Sequence, residues 1–280
     1  MKQNKQNNDQ HSDFFEKLRV PYEKSKEQVW LEMMDEMEQS SPKTKTRTIQ
    51  LFYWAAAAVV VLFLGLGSFL RFYKVQLHCP YGQHQTIDLP DGSLASLNAG
   101  TRLEYYPYWW RFARKLKLEG EAYFEVEKGN QFKVISSQGT TSVLGTSFNI
   151  YARGKDYKVH CYSGKVHVES KTGEEQLLEM HQLALITPDG LIKQEEKEKV
   201  ETAIAWRQNH FYFTAVPLQE VMYEMERQYD IQIDLQSGIE GTYTGDFKRG
   251  SSILKTLETI CIPFGLKVEK VSGNRFKIYR

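Results

Sequence analysis

Two dipeptides, His78-Cys79 and His160-Cys161, are the nearest this sequence comes to metal or thiol chemistry. Zinc needs four convergent ligands, and neighbouring residues of a strand point to opposite faces, so neither pair chelates alone. With Cys261 they complete the chain's three cysteines, an odd and sparse set that makes no disulfide framework. An oxidising compartment would permit Cys79 to pair with Cys161. A shared metal site and ordinary sheet residues are the other readings, and the last suits the strand pattern. The sequence contains no HExxH, Walker loop, GxSxG or CxxC. Gly65-x-Gly67 lies inside an apolar run, not after a strand, so it is no dinucleotide fingerprint. No enzyme, cofactor or metal site is expected.

Without a catalytic constellation, function has to lie in binding and placement. The run LFYWAAAAVVVLFLGLGSFL, Leu51 to Leu70, holds twenty residues without a charge. At about 1.5 Å per residue a helix of that length spans the roughly 30 Å hydrocarbon core of a bilayer. Phe52, Tyr53 and Trp54 at one end and Phe69, Phe72 and Tyr73 at the other resemble interfacial aromatic belts. A cleavable signal would be shorter, N-terminal and led by bases; a buried helix would show a polar stripe. The expectation is one transmembrane helix over 51–72. Lys43, Lys45 and Arg47 precede it, while Arg71 and Lys74 follow. That bias favours an N-terminus in the cytoplasm.

Ahead of the span, residues 1–50 read as a short helical tail. In YEKSKEQVWLEMMDEMEQ, Val29, Trp30, Met33, Met34 and Met37 form one apolar stripe at helical spacing, with Glu32, Asp35, Glu36 and Glu38 on other faces. Phe14, Phe15 and Leu18 form a second stripe that ends before Pro21. So small a tail cannot bury such faces itself, so a partner is implied. Met-rich amphipathic helices fit protein grooves. A membrane-surface helix would be basic instead, yet residues 1–41 carry nine acidic and six basic side chains. The acidic face would complement a partner with a basic, DNA-binding surface. The whole chain is balanced, 36 basic against 35 acidic residues, so direct nucleic-acid binding is not expected.

Beyond the span the period becomes alternating. GEAYFEVEK puts Ala122, Phe124 and Val126 on one strand face and Tyr123, Glu125 and Glu127 on the other. KVHCYSGKVHV reads as a hairpin turning at Ser163-Gly164, and LPDGS at 89–93 as a turn set by Pro90 and Gly92. The predicted organisation is an all-β domain, solenoid or sandwich-like, over 76–190. A charged linker over 191–205 leads to a small α+β module over 206–280. In that module PLQEVMYEMERQY suggests a helix with Pro217 first and Leu218, Val221, Met222 and Met225 on one face. SSILKTLETICIPFG suggests another, capped near Ser251 or Ser252, burying Ile253, Leu254, Leu257 and Ile260. LKVEK and RFKIY close a hairpin across Ser272-Gly273-Asn274, giving the order β-α-β-β-α-β-β.

LPDGSLASLNAGTRLEY, GEAYFEVEKGNQFKV, VLGTSFNIYA and YSGKVHVES resemble, in order and spacing, the FecR family of transmembrane anti-sigma factors in cell-surface signalling. The C-terminal module resembles the small secretin and TonB short N-terminal domain of the Bacteroidetes branch. The resemblance implies an inner-membrane protein with periplasmic C-terminal domains. Its partners would be an extracytoplasmic-function sigma factor on the tail, and the signalling domain of an outer-membrane TonB-dependent transporter on the C-terminal module. It also implies release by proteolysis ending with a site-2-type intramembrane protease. It further points to Gly145-Thr146 as a bond that some relatives cut themselves, the threonine hydroxyl attacking the preceding carbonyl. Gly-Thr recurs at 100–101, 139–140 and 241–242, so the dipeptide itself is unspecific. A membrane-anchored periplasmic adaptor with a dispensable tail is the alternative.

Overall fold

The structure, a computed structural model, describes residues 24–39, 45–187, 190–195, 200, 202–250 and 252–280. Two compact units result, Met1–Gly65 and Leu66–Arg280. The stripe expected at Phe14, Phe15 and Leu18 and the alternative cap Ser251 lie outside the described residues.

In the first unit, helix α1 spans Lys26–Gln39 and buries none of its residues. Its start is a reciprocal capping box: Gln28 N–H donates to Ser25 Oγ at 3.3 Å, and Ser25 N–H to Gln28 Oε1 at 3.0 Å. Helix α2 spans Lys45–Phe72 and begins in this unit. Its Ile49–Phe72 stretch, 24 residues, is the one helix among the described residues that is long and apolar enough to cross a membrane.

The second unit is mostly β. Only Tyr73 and Lys74 separate the end of α2 from the first strand, Val75–Cys79. Thirteen strands are hydrogen-bonded into one assembly, organised around the twelve-residue strand Arg114–Glu125. That strand changes neighbours midway. Its first part pairs with Thr101–Tyr105 and, in parallel, with Phe132–Ile135; its second part pairs with Leu94–Leu97 and Ser147–Arg153. Gly120 sits at the changeover with φ +123°, where a Cβ would come within 2.7 Å of the Thr101 Cα. Only glycine meets both conditions cheaply. Thr101 braces the same point, its Oγ1 donating to the Glu121 carbonyl and accepting from the Glu121 N–H, both at 3.0 Å. One face of the assembly closes over Phe124, Phe132 and Phe148, whose rings lie 5.2 to 6.0 Å apart. Each fully buried ring contributes about 2–3 kcal/mol by removal from water.

Strand Gly190–Glu195 pairs with Gln182–Thr187, so the first residues of the expected linker belong to the sheet. The chain then covers the outer face of the strand around Tyr123: Arg207 lies 4.1 Å over that ring, Tyr162 donates its hydroxyl to the Val200 carbonyl, and Trp206 is buried. Beyond it, His210–Pro217 pairs with Thr242–Lys248, and Gln232–Leu235, Arg275–Tyr279 and Lys267–Ser272 form a three-stranded sheet. Helices α3, Leu218–Tyr229, and α4, Ile253–Cys261, pack Leu218, Val221, Met222, Met225, Leu257 and Ile260 into a second core. Pro217 is the N-cap of α3 and ends the preceding strand; Ser252 caps α4, accepting from the Lys255 N–H.

Candidate functional site

On α1 the stripe is open to solvent. Trp30 is 64 % exposed and Met37 68 %, Met33 and Met34 are slightly more than half exposed, and Val29 is half-buried. Leu31, 66 % exposed, widens the apolar surface beyond the stripe. A solvated helix this short is marginal without tertiary packing. The Lys24–Glu32 pair at 2.7 Å is exposed on both sides and adds little. Leu51, the first residue of the expected span, is exposed, and Leu70 near its end is half-buried.

Gly145 and Thr146 form the bend between strands Gly139–Val143 and Ser147–Arg153. Thr146 is 4 % exposed and its hydroxyl donates to the Lys165 carbonyl at 3.0 Å. The bend is clamped by Gly129 N–H to Leu144 O at 2.9 Å and Val126 N–H to Thr146 O at 3.0 Å. Neither residue has a positive φ. A Cβ on Gly145 would fall 2.9 Å from the Lys128 Cα, so close packing alone requires glycine there.

Cys79 and Cys161 are buried free thiols, each donating to backbone carbonyls, Cys79 to Gln83 at 3.2 Å and Cys161 to Ser163 at 3.6 Å. Burial pushes the Cys161 thiol up to about 11 and Cys79 upward as well, which suppresses thiolate chemistry. His78 is exposed and His160 buried. Burial, with Lys158 nearby, pushes the His160 imidazole down to about 4. Among the described residues no group of three His, Cys, Asp or Glu side chains could hold a metal.

The densest polar constellation lies elsewhere, where the last turns of α3 meet the β-rich part. Glu121 is 7 % exposed and accepts from the Nδ2 atoms of Asn98 at 2.8 Å and Asn149 at 3.0 Å. Asn98 Oδ1 accepts from Gln228 Nε2 at 2.7 Å, and the same nitrogen donates to Glu224 Oε1 at 2.8 Å. Glu224 is ion-paired with Arg227 at 2.6 Å, and His84 Nε2 meets Gln228 Oε1 at 3.0 Å. Backbone joins in, with Gly82 N–H donating to the Arg227 carbonyl at 2.8 Å and Arg249 to the Gly82 carbonyl at 3.1 Å. Burial, then the neighbouring Glu224 charge, raises the Glu121 pKa against the help of Arg153 and the two asparagines. For Glu224 burial is the largest single influence and acts upward, but the charges of Arg227 and Arg153 and the hydrogen bonds from Arg227 and Gln228 outweigh it and hold the carboxyl low. One carboxyl is thus biased toward its neutral form and the other toward its charged form. A cleft of about 670 Å3 opens beside them, lined by Tyr151, His160, Trp206 and Phe211 among others.

This junction was missed from sequence. Alternation across GEAYFEVEK sets Tyr123, Glu125 and Glu127 on the face opposite Ala122 but does not say that part of this face, at Tyr123 and the preceding Glu121, is covered. The available signal was Gln228, a polar residue three positions after Met225 on the buried stripe of α3.

An exposed amphipathic helix, one apolar helix of spanning length among the described residues and a mostly β remainder define the class: a chain compatible with a single-pass anchor, with its largest folded part after the apolar helix. Two family models match, "FecR protein" over residues 76–167 and "FecR, C-terminal" over 210–278, together more than half of the chain. The chain belongs to the FecR family. Two crystal structures of a candidate anti-sigma factor from Parabacteroides distasonis ATCC 8503, at 1.65 and 2.50 Å resolution, are 27% identical to it. They superpose with TM-scores of 0.66 and 0.67, covering 74% of this chain and 99% of theirs. No curated protein matches the sequence.

Proposed function

We propose that this protein is a single-pass inner-membrane anti-sigma factor. Its tail, through Val29, Trp30, Met33, Met34 and Met37, holds an extracytoplasmic-function sigma factor in the cytoplasm. Residues 51–72 cross the membrane, and residues 76–280 lie in the periplasm, where the module over 206–280 meets the signalling domain of an outer-membrane TonB-dependent transporter. Release of the tail follows proteolysis, its last cut made by a site-2-type protease within the membrane. One span transmits a small shape change poorly, so cutting is the physically simpler switch. FecR membership and the anti-sigma description of the P. distasonis relative support the sigma-regulator role.

The observation that carries the reading is α1, a capped helix with Trp30 and three methionines exposed and no residue buried. An anchor loop has no need of such a face; a partner groove does. The test is capture of the sigma factor by the full-length tagged chain in native membranes, compared with Trp30→Ala/Met33→Ala. Loss of two exposed anchors should cost about 2 kcal/mol or more of binding, at least a tenfold drop in capture, with the fold unaffected. Equal capture would refute the assignment of the stripe. If the parent chain retains no sigma factor at all, the protein is a membrane-anchored periplasmic adaptor.

A further inference from the structure

The loop Tyr106–Ala113, YPYWWRFA, follows strand Thr101–Tyr105; Trp110 is buried in the core, Tyr106 and Trp109 are half-buried, and Tyr108 and Phe112 face solvent. Phe112 is 72 % exposed and Tyr108 55 %, so much of both rings remains in water. The loop is also fixed in place. Strand Val75–Cys79 pairs with Thr101–Tyr105 so that Val75 faces Tyr105, and Val75 lies only three positions beyond Phe72, the last residue of α2. At about 3.5 Å per residue that link keeps the loop's start within about 10–15 Å of the helix end. The contacts are in fact direct: Tyr108 lies 5.3 Å from Tyr73 and 6.4 Å from Phe69, and the Arg71 guanidinium sits 4.6 Å over the Trp109 ring. Trp109 in turn lies 4.7 Å from Phe112, so a row of rings leads from the last turn of the helix to the loop's far end.

We propose that Tyr106–Ala113 is a second membrane contact, seated in the headgroup region of the phospholipid leaflet from which α2 emerges. The proposal rests on reading α2 as a membrane span. Tyr and Trp rings with adjacent Arg side chains favour that depth, where one end of the group is apolar and the other wet. Charge agrees: Arg71 lies over the Trp109 ring, Lys74 follows the helix, Arg111 is in the loop and Lys115 just after it, and Glu104 is already engaged by Lys74 at 3.0 Å and Gln76 at 2.7 Å. A cleft of about 430 Å3 beside the loop is lined by Arg111, Arg114 and Lys128, and its one carboxylate among the described residues, Asp91, is ion-paired with Arg114 at 2.8 Å. It offers room and charge for a lipid phosphate. The consequence is orientation: two contacts fix the tilt of the β-rich part on the bilayer, where one flexible tether would leave it free to swing.

The test uses the full chain reconstituted in phosphatidylcholine–phosphatidylglycerol vesicles, with nitroxide labels at Phe112→Cys, at Val60→Cys in α2 and at Val271→Cys in the C-terminal hairpin. All three positions are more than half exposed, so the labels leave both cores intact. Accessibility to oxygen reports lipid, and accessibility to a nickel chelate reports water. The proposal requires residue 60 to be oxygen-accessible and nickel-shielded, residue 271 nickel-accessible, and residue 112 several-fold less nickel-accessible than 271 with oxygen access retained. If residue 112 matches 271, the loop is solvated and the proposal fails while the span stands. If residue 112 is shielded from both reagents, protein covers it and the proposal fails equally. If residue 60 is nickel-accessible, the span reading itself is wrong and the membrane contact falls with it.

Discussion

Glu121 places a carboxyl where water is excluded and another carboxyl, Glu224, shares the same network through Asn98 and Gln228. Burial lifts the folded-state pKa of Glu121 above its unfolded value. The folded state therefore holds that proton more tightly, and the associated stability is complete below the ordinary Glu range and lost as pH rises through the folded value. Glu224, held low, has the opposite sign: its contribution is present above the unfolded pKa and lost as pH falls through the folded one. Glu121→Gln mimics the neutral form, and Asn149 can accommodate it, since its Oδ1 is buried without a partner among the described residues and can accept the new amide. The variant should match the parent near about pH 4 and become progressively more stable than it toward about pH 8, because only the parent must ionise a buried group. Urea melts across that range check it; a constant difference at every pH would show that the Glu121 pKa is the same in the folded and unfolded chain, so that burial does not raise it. Such a residue is hard to see in a sequence. Alternation marks which residues share a face, but it does not say whether a later segment, here Val200 with residues 202–207, covers the second face.

α1 and α2 are the elements most legible from sequence, for different reasons. In α2 composition alone suffices, because a long uncharged run has few alternatives. In α1 the spacing of Val29, Trp30, Met33 and Met37 gives the helix, while its start, the Ser25–Gln28 cap, emerges only in the structure. Removing that cap tests whether the helix, rather than its side chains alone, is what a partner reads. Ser25→Ala should cost about 1 kcal/mol of helix stability. For a segment without buried residues that appears directly as lower tail helicity by circular dichroism of the full chain, and as roughly fivefold weaker sigma-factor capture. Unchanged capture would mean that the partner folds the helix regardless of its cap. The long strand Arg114–Glu125 was less legible. Its second half, around Ala122 and Phe124, alternates cleanly, but nothing in the sequence says that its two halves serve different neighbours or that Gly120 is the point of exchange. Gly145-Thr146 shows the converse difficulty. A dipeptide that could do chemistry also has a packing reason to be there, the approach of Lys128.

Residues 66–280 form one compact unit, yet they contain two separate apolar cores, one around Phe124 and Phe148 and one around Met222 and Phe276. Much of what joins the two is the polar junction of Glu121, Asn98, Gln228, Glu224 and Arg227, with His84 against Trp206 at 5.2 Å. This division has a thermodynamic consequence. An apolar core tolerates small displacements, whereas a buried polar network is costly once partly satisfied, so the two parts should either dock completely or separate. Arg227→Ala with Gln228→Ala removes the partners of Glu224 and opens the link to Asn98. Leaving such groups buried and unpaired costs about 3–5 kcal/mol. In the parent chain, calorimetry in detergent should give a single transition for the residues after α2. In the double variant it should split in two, the lower one belonging to residues 206–280, whose core is the smaller. Cleavage by a protease within residues 206–280 should then appear at temperatures where the β-rich part is still folded. A single transition in the double variant, merely shifted downward, would show that the covering segment around Trp206 couples the parts without the network. In that case Val200 and residues 202–207 would carry the coupling between the two parts.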